Sequence, residues 1–103
     1  MKQLNHVLGV EGETLAKQFL IDNGYKIVTQ NYKTKIGEID IIAKIGDTTV
    51  FVEVKDRKTK RFGMPREAVT PYKQNKIKLV ATQYMLSHKL MDSKVRFDCV
   101  EIL

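Results

Sequence analysis

The most regular patterning in the chain falls between Glu38 and Lys55. Ile39, Ile41 and Ala43 alternate with Glu38, Asp40 and Lys44, and Val50, Val52 and Val54 alternate with Phe51, Glu53 and Lys55. Two period-two runs joined across Gly46-Asp47 predict a β-hairpin, with Gly at the turn position that requires positive φ. Upstream, Leu15, Ala16, Phe19 and Leu20 recur at helical spacing and Gly24 is a natural stop, so a first helix is expected over Val10–Asn23. Tyr25–Tyr32 follows as a strand with looser alternation. Downstream of the hairpin come a basic loop, Asp56–Met64, and a short helical turn opened by Pro65. A second helix begins at Thr70-Pro71, with Thr as N-cap and Pro in the first turn. It runs to about His88, because Ile77, Val80, Ala81 and Tyr84 share one face. Val95–Ile102 closes the chain as a strand whose alternation changes phase near Cys99-Val100, which implies burial on both faces or a bulge. The order α-β-β-β-α-β is that of an α/β domain with a mixed sheet flanked by helices.

A length of 103 residues, 43% of them apolar, suits one domain over residues 1–103 with its own core. The longest apolar run is three residues, so no helix can cross a bilayer and no membrane partner is expected. The N-terminal residues lack the apolar stretch of a secretory leader, and a cytoplasmic location is the expectation. The single cysteine, Cys99, excludes an internal disulfide and reads as a core residue, while His6 and His88 are too far apart to suggest a zinc cluster. A hard-metal site made of carboxylates remains open.

In the hairpin, a two-residue turn makes Ile45 face Thr48. One face then pairs Ile39 with Val54, Ile41 with Val52 and Ala43 with Val50, and is wholly apolar. The other pairs Glu38 with Lys55, Asp40 with Glu53, Ile42 with Phe51 and Lys44 with Thr49. A solvated outer face would explain the charges, but an Ile facing a Phe there calls for cover. Facing carboxylates about 5 Å apart repel by roughly 3 kcal/mol at an effective dielectric near 20. A bound cation, or a proton on one acid, removes that cost. Hydrolysis of a phosphodiester needs charge neutralised on the phosphate and water activated, and Mg²⁺ or Mn²⁺ on carboxylates does both. Lys55, two residues after Glu53 on the same face, suits stabilisation of the phosphate in the transition state better than general-base work, because nearby carboxylates favour its protonated form. Glu38 has two readings, a third acid at the site and, favoured, a cross-strand ion-pair partner of Lys55.

Several ordered segments resemble one known family. Gly9-Val10-Glu11-Gly12-Glu13-Thr14-Leu15-Ala16 resembles its opening Gly-x-x-Gly-Glu-x-x-Ala, and Asn23-Gly24-Tyr25 and Asn31-Tyr32 resemble its next landmarks. Gly37-Glu38-Ile39-Asp40-Ile41-Ile42 and Phe51-Val52-Glu53-Val54-Lys55-Asp56-Arg57 are similar to its two signature segments. Phe62-Gly63, Ala68-Val69, Lys73 and Arg96-Phe97-Asp98 match later positions. The family is that of the YraN-type uncharacterised bacterial proteins, predicted endonucleases with a restriction-endonuclease-like fold, distantly similar to archaeal Holliday-junction resolvases. The resemblance covers nearly the whole chain. It implies a PD-(D/E)xK-type core in which Asp40 and Glu53 bind Mg²⁺ or Mn²⁺ and Lys55 is the catalytic lysine. It also implies a supporting metal ligand at Glu13, a choice that periodicity leaves open between Glu11 and Glu13. Branched DNA enters as a substrate only through the resolvases, and symmetric cutting of it would call for a homodimer.

Eighteen Lys and Arg against twelve Asp and Glu give a net charge of +6. Solubility alone can produce such a balance, but five cations cluster in Lys55-Asp56-Arg57-Lys58-Thr59-Lys60-Arg61. Because that run follows the acid-bearing strand, Arg57, Lys58, Lys60 and Arg61 are expected to contact DNA phosphates, and Lys73 and Lys76 to hold another at the second helix's positive end. Two rival readings stand beside a DNA endonuclease: a non-catalytic nucleic-acid-binding module on the same fold, and a protein-interaction domain whose basic loop meets an acidic partner.

Overall fold

A computed structural model of the chain describes residues 12–56 and 71–102. Its elements run α1 (Gly12–Asp22), β1 (Lys26–Lys33), β2 (Glu38–Ile45), β3 (Thr48–Asp56), α2 (Pro71–Ser87) and β4 (Lys94–Ile102), the order expected from periodicity. The first residues assigned to the opening helix, the basic loop beyond Asp56, the turn at Pro65 and the N-cap at Thr70 lie outside the described residues.

The strands form one sheet in the order β1-β2-β3-β4. β2 pairs antiparallel with β1 and with β3, whereas β3 and β4 are parallel. A parallel pair needs a long crossover, and α2 lies within it. Each helix covers a different face. Ala16 and Leu20 of α1 pack with Ile41, Ala43, Val50, Val52, Val100 and Ile102. Val80, Ala81, Tyr84 and Met85 of α2 pack with Ile39, Ile42 and Phe51. Burial on both faces explains why Ile42 and Phe51 interrupt what otherwise reads as a polar face: both are almost fully buried beneath α2. The Phe51 ring meets Tyr84 edge-on at 5.8 Å and stacks on Phe97 at 5.4 Å. Phe51→Ala is therefore expected to lose about 3–5 kcal/mol in urea denaturation, a loss of aromatic contact on top of a cavity. A loss below about 1 kcal/mol would place Phe51 outside the load of the core.

The hairpin register is the expected one from Ile41↔Val52 to Ile45↔Thr48. Gly46 turns it at φ 59°, which suits a tight turn with positive φ at its first central residue. The β3–β4 register runs unbroken from Thr48↔Lys94 to Asp56↔Ile102. The phase change near Cys99 thus reflects two-sided burial and not a bulge: Val100 and Ile102 face α1, while Cys99 borders a cavity beside α2. Among the described residues no helix is long and apolar enough to cross a membrane.

Candidate active site

Strict alternation fails where the chemistry is expected. The β2–β3 ladder stops at Ile41↔Val52, one pair short of Asp40 and Glu53. Ile39 packs in the α2-side cluster with Ile42 and Phe51, although alternation would keep it beside Ile41 on the α1 side. The neighbouring strand keeps its register at this level but carries an unusual backbone angle, its one register shift lying between Ile27 and Thr29. Gln30↔Ile41 and Tyr32↔Ile39 are partners across β1–β2, so Asn31 lies opposite Asp40, and Asn31 adopts the left-handed conformation at φ 53°. Asn is one of the few residues that tolerates that region.

The break frees Asp40 for a different partner. Its Oδ2 accepts a hydrogen bond from the Val54 backbone N–H at 2.8 Å, so a side chain of β2 takes the place of a backbone acceptor for β3. Asp40 is thereby held at the splayed end of the hairpin. Its pKa is raised from 3.8 to about 6: burial is the largest cause, opposed by the Val54 hydrogen bond and reinforced by the charges of Glu53, Glu13 and Glu38. Glu13, in the first turn of α1, is one of the charges acting on Asp40, and Glu11 lies outside the described residues.

Lys55 lies two residues beyond Glu53 on β3 and is 7% exposed. Its Nζ is 3.5 Å from Glu53 Oε2. The cross-strand pairing of Lys55 with Glu38 expected from register gives way to this pairing along one strand, since the ladder has ended before Glu38. An ammonium and a carboxylate so placed keep a cation beside the acids.

The oxygen donors suit a hard divalent cation such as Mg²⁺ or Mn²⁺. Among the described residues no three His, Cys, Asp or Glu side chains form a ready-made cation cage. Mg²⁺ commonly uses one or two carboxylates and completes its shell with water and substrate phosphate, a demand that Asp40 and Glu53 meet in number and kind. The raised proton affinity of Asp40 points the same way: negative charge is crowded on a poorly hydrated oxygen, and a cation relieves it as a proton does.

The other expected contact residues divide. Arg57, Lys58, Lys60 and Arg61 lie outside the described residues. Lys73 and Lys76 sit in the first turns of α2, and Lys76 Nζ stands 5.0 Å over the Tyr72 ring.

Periodicity did not reveal two further features. One is a latch that joins Tyr25, just after α1, to β4. Arg96 donates to Asp98 through Nε at 3.0 Å and Nη2 at 2.8 Å, and Nη2 also donates to the Tyr25 hydroxyl. The i, i+2 spacing of Arg96 and Asp98 on a strand was the available signal, but Tyr25 is 71 residues away from Arg96. The other is a cavity of about 270 Å³ between α2 and the β3–β4 half of the sheet, bordered by Glu53.

Residues 12–102 match the family described as "Uncharacterised protein family UPF0102". A UPF0102 protein of Alkaliphilus oremlandii is 48% identical over 101 residues, covering 96% of this chain and 86% of that protein. One from Geotalea daltonii is 46% identical over 102 residues, covering 99% and 80% respectively. Another, from Caldanaerobacter subterraneus subsp. tengcongensis, is 46% identical over 103 residues, covering 99% and 84%. These matches supply kinship and no chemistry, and on their strength the chain belongs to the UPF0102 family.

Proposed function

We propose that the chain is a metal-dependent endonuclease that hydrolyses DNA phosphodiesters at the splayed end of the β2–β3 hairpin. The observation that carries this reading is Asp40: a half-buried carboxylate fixed by Val54 N–H at 2.8 Å and crowded by Glu53, Glu13 and Glu38. A fold that gathers acids at the cost of their mutual repulsion gains from it when a cation is bound there.

Asp40 and Glu53 would hold Mg²⁺ or Mn²⁺, with Glu13 supporting from α1. When bound, the ion supplies charge neutralisation on the phosphate and a more acidic water. The chain's own groups do the rest. Val54 N–H keeps Asp40 in one orientation, and Lys55 offers a cation to the phosphate as negative charge builds on it. The net charge of +6 favours a polyanionic substrate, and Arg57, Lys58, Lys60, Arg61, Lys73 and Lys76 are the proposed phosphate contacts. Cytoplasmic DNA is the substrate pool that this reading assigns. Symmetric cuts in a branched substrate would take two copies of the chain.

The test is calorimetric titration of Mn²⁺ and Mg²⁺ into the protein and into Glu53→Ala, followed by a cleavage screen over linear and branched DNA. Binding that depends on Glu53, with cleavage that needs the ion, is the expected result. DNA binding that weakens with salt, survives Asp40→Ala and brings no cleavage with either ion would identify a non-catalytic binding module instead. Absence of DNA binding at physiological salt would favour the protein-interaction reading.

A further inference from the structure

The cavity between α2 and the β3–β4 half of the sheet has no part in the chemistry above, yet Glu53 borders both. One wall is aromatic. Phe51 and Phe97 stack with centroids 5.4 Å apart and planes inclined by 28°. Phe51 is buried, whereas Phe97 is 46% exposed and offers ring surface to the cavity. Ile77 contributes an aliphatic side from α2, and the same helix brings the Gln74 amide and the Lys78 ammonium.

From this arrangement we propose that the cavity receives one unpaired nucleobase of the substrate, from a nucleotide beside the phosphate held at Asp40 and Glu53. The inference rests on the endonuclease reading for the position of that phosphate. It then follows from tethering: a phosphate at Glu53 carries its nucleosides within reach of the cavity that Glu53 borders. A flat, largely apolar ring suits the Phe97 wall, because base–aromatic stacking tolerates any base. Lys78, which lines the same cavity, complements the charge of a neighbouring phosphate. A base held within an intact duplex is stacked on both sides and cannot enter without unpairing. The site therefore selects nucleic acid with an unpaired nucleotide at the cut, such as a gap, a flap, a branch point or a single strand.

The chain's single cysteine gives a direct readout, because Cys99 lies in the cavity wall. Iodoacetamide labelling of the full chain would be followed by mass spectrometry in Ca²⁺, an oxygen-seeking cation that takes the place of Mg²⁺ at the carboxylates and lets the phosphate sit there, with a gapped DNA, a blunt duplex of the same sequence, or no DNA. DNA binding would be measured in parallel by anisotropy. Gapped DNA is expected to slow Cys99 alkylation about tenfold, the scale of one base–aromatic stack, with little protection by duplex. Phe97→Leu, which keeps apolar bulk and removes the ring, should reduce that protection and lower affinity for gapped DNA while leaving duplex affinity unchanged. Equal labelling with both DNAs bound would overturn the base site and leave the endonuclease reading intact. Protection that persists in full in Phe97→Leu would also overturn it. Selective protection in a protein that never cleaves would support the base site and remove the endonuclease reading.

Discussion

Asp40→Asn is expected to abolish metal-dependent cleavage and, in the same protein, to stabilise the metal-free fold. Asparagine keeps an oxygen for Val54 N–H, so the 2.8 Å contact that orders this end of the hairpin is retained. What it removes is a charge that burial and three neighbouring acids disfavour. The sign follows from linkage. The folded pKa of Asp40 is about 6, above its ordinary value of 3.8, so the folded state binds a proton more tightly than the unfolded chain. Asp40 thus destabilises the fold fully above about pH 6, and this cost fades as pH falls towards 3.8. A shift of this size corresponds to roughly 3 kcal/mol, and solvent screening of a half-buried group reduces it to about 1–2 kcal/mol. In urea denaturation without metal, Asp40→Asn should exceed the unsubstituted protein by about that amount at pH 7.5, and the two should converge near pH 4. Mn²⁺ should reverse the order at pH 7.5, because only the aspartate gains from the ion. Alanine makes a poorer test: it strands Val54 N–H at a cost of about 1–3 kcal/mol, which masks the relief of repulsion. Equal stability of aspartate and asparagine at pH 7.5 without metal would show that no carboxylate repulsion is stored at this site.

How much of this was legible before the fold was known depends on the range of the interaction that decides each feature. The hairpin register from Ile41 to Val52 follows from alternation and a two-residue turn, both local, and it appears as expected. The alternation of Ile39 with Asp40 is equally local, yet it misplaces Ile39. Packing of Ile39 with Phe51 and α2 outweighs strand phase there, and Asn31 on the next strand accommodates the break. Asp40 was identifiable as an acid near Glu53, but its bond to Val54 N–H was not, because an uninterrupted ladder would give that donor a backbone partner. Glu13 could not be separated from Glu11 by spacing on a helix; the charge it contributes at Asp40 depends on how α1 lies over the sheet. Cys99 illustrates the opposite failure. With no paired histidine or basic cluster to mark it as reactive it read as core, whereas β4 places it, partly exposed, on the wall of a cavity that Gln74, Ile77 and Lys78 of α2 also line.

Lys55→Met is expected to slow cleavage by about 10²–10³-fold while leaving metal binding in place. Methionine preserves the length and apolar stem that fill a position only 7% exposed, and deletes the ammonium 3.5 Å from Glu53. If Lys55 acts on the phosphate as charge builds during the reaction, the loss appears in the rate of the chemical step under saturating DNA and metal. If its work were only to neutralise Glu53 in the resting fold, the variant would lose stability and keep its rate. The two contributions separate by experiment. Glu53 loses a cationic neighbour, so calorimetry should find Mn²⁺ bound as tightly as in the unsubstituted protein or more so, since the ion no longer competes with the ammonium. Denaturation in the absence of metal should show a loss of about 1–3 kcal/mol, smaller than for a fully buried pair because Glu53 is 25% exposed. Saturating Mn²⁺ should recover part of that loss by binding the folded state alone. Single-turnover rates within about threefold of the unsubstituted protein would remove Lys55 from the chemistry and leave Asp40 and Glu53 as a metal site without a catalytic lysine.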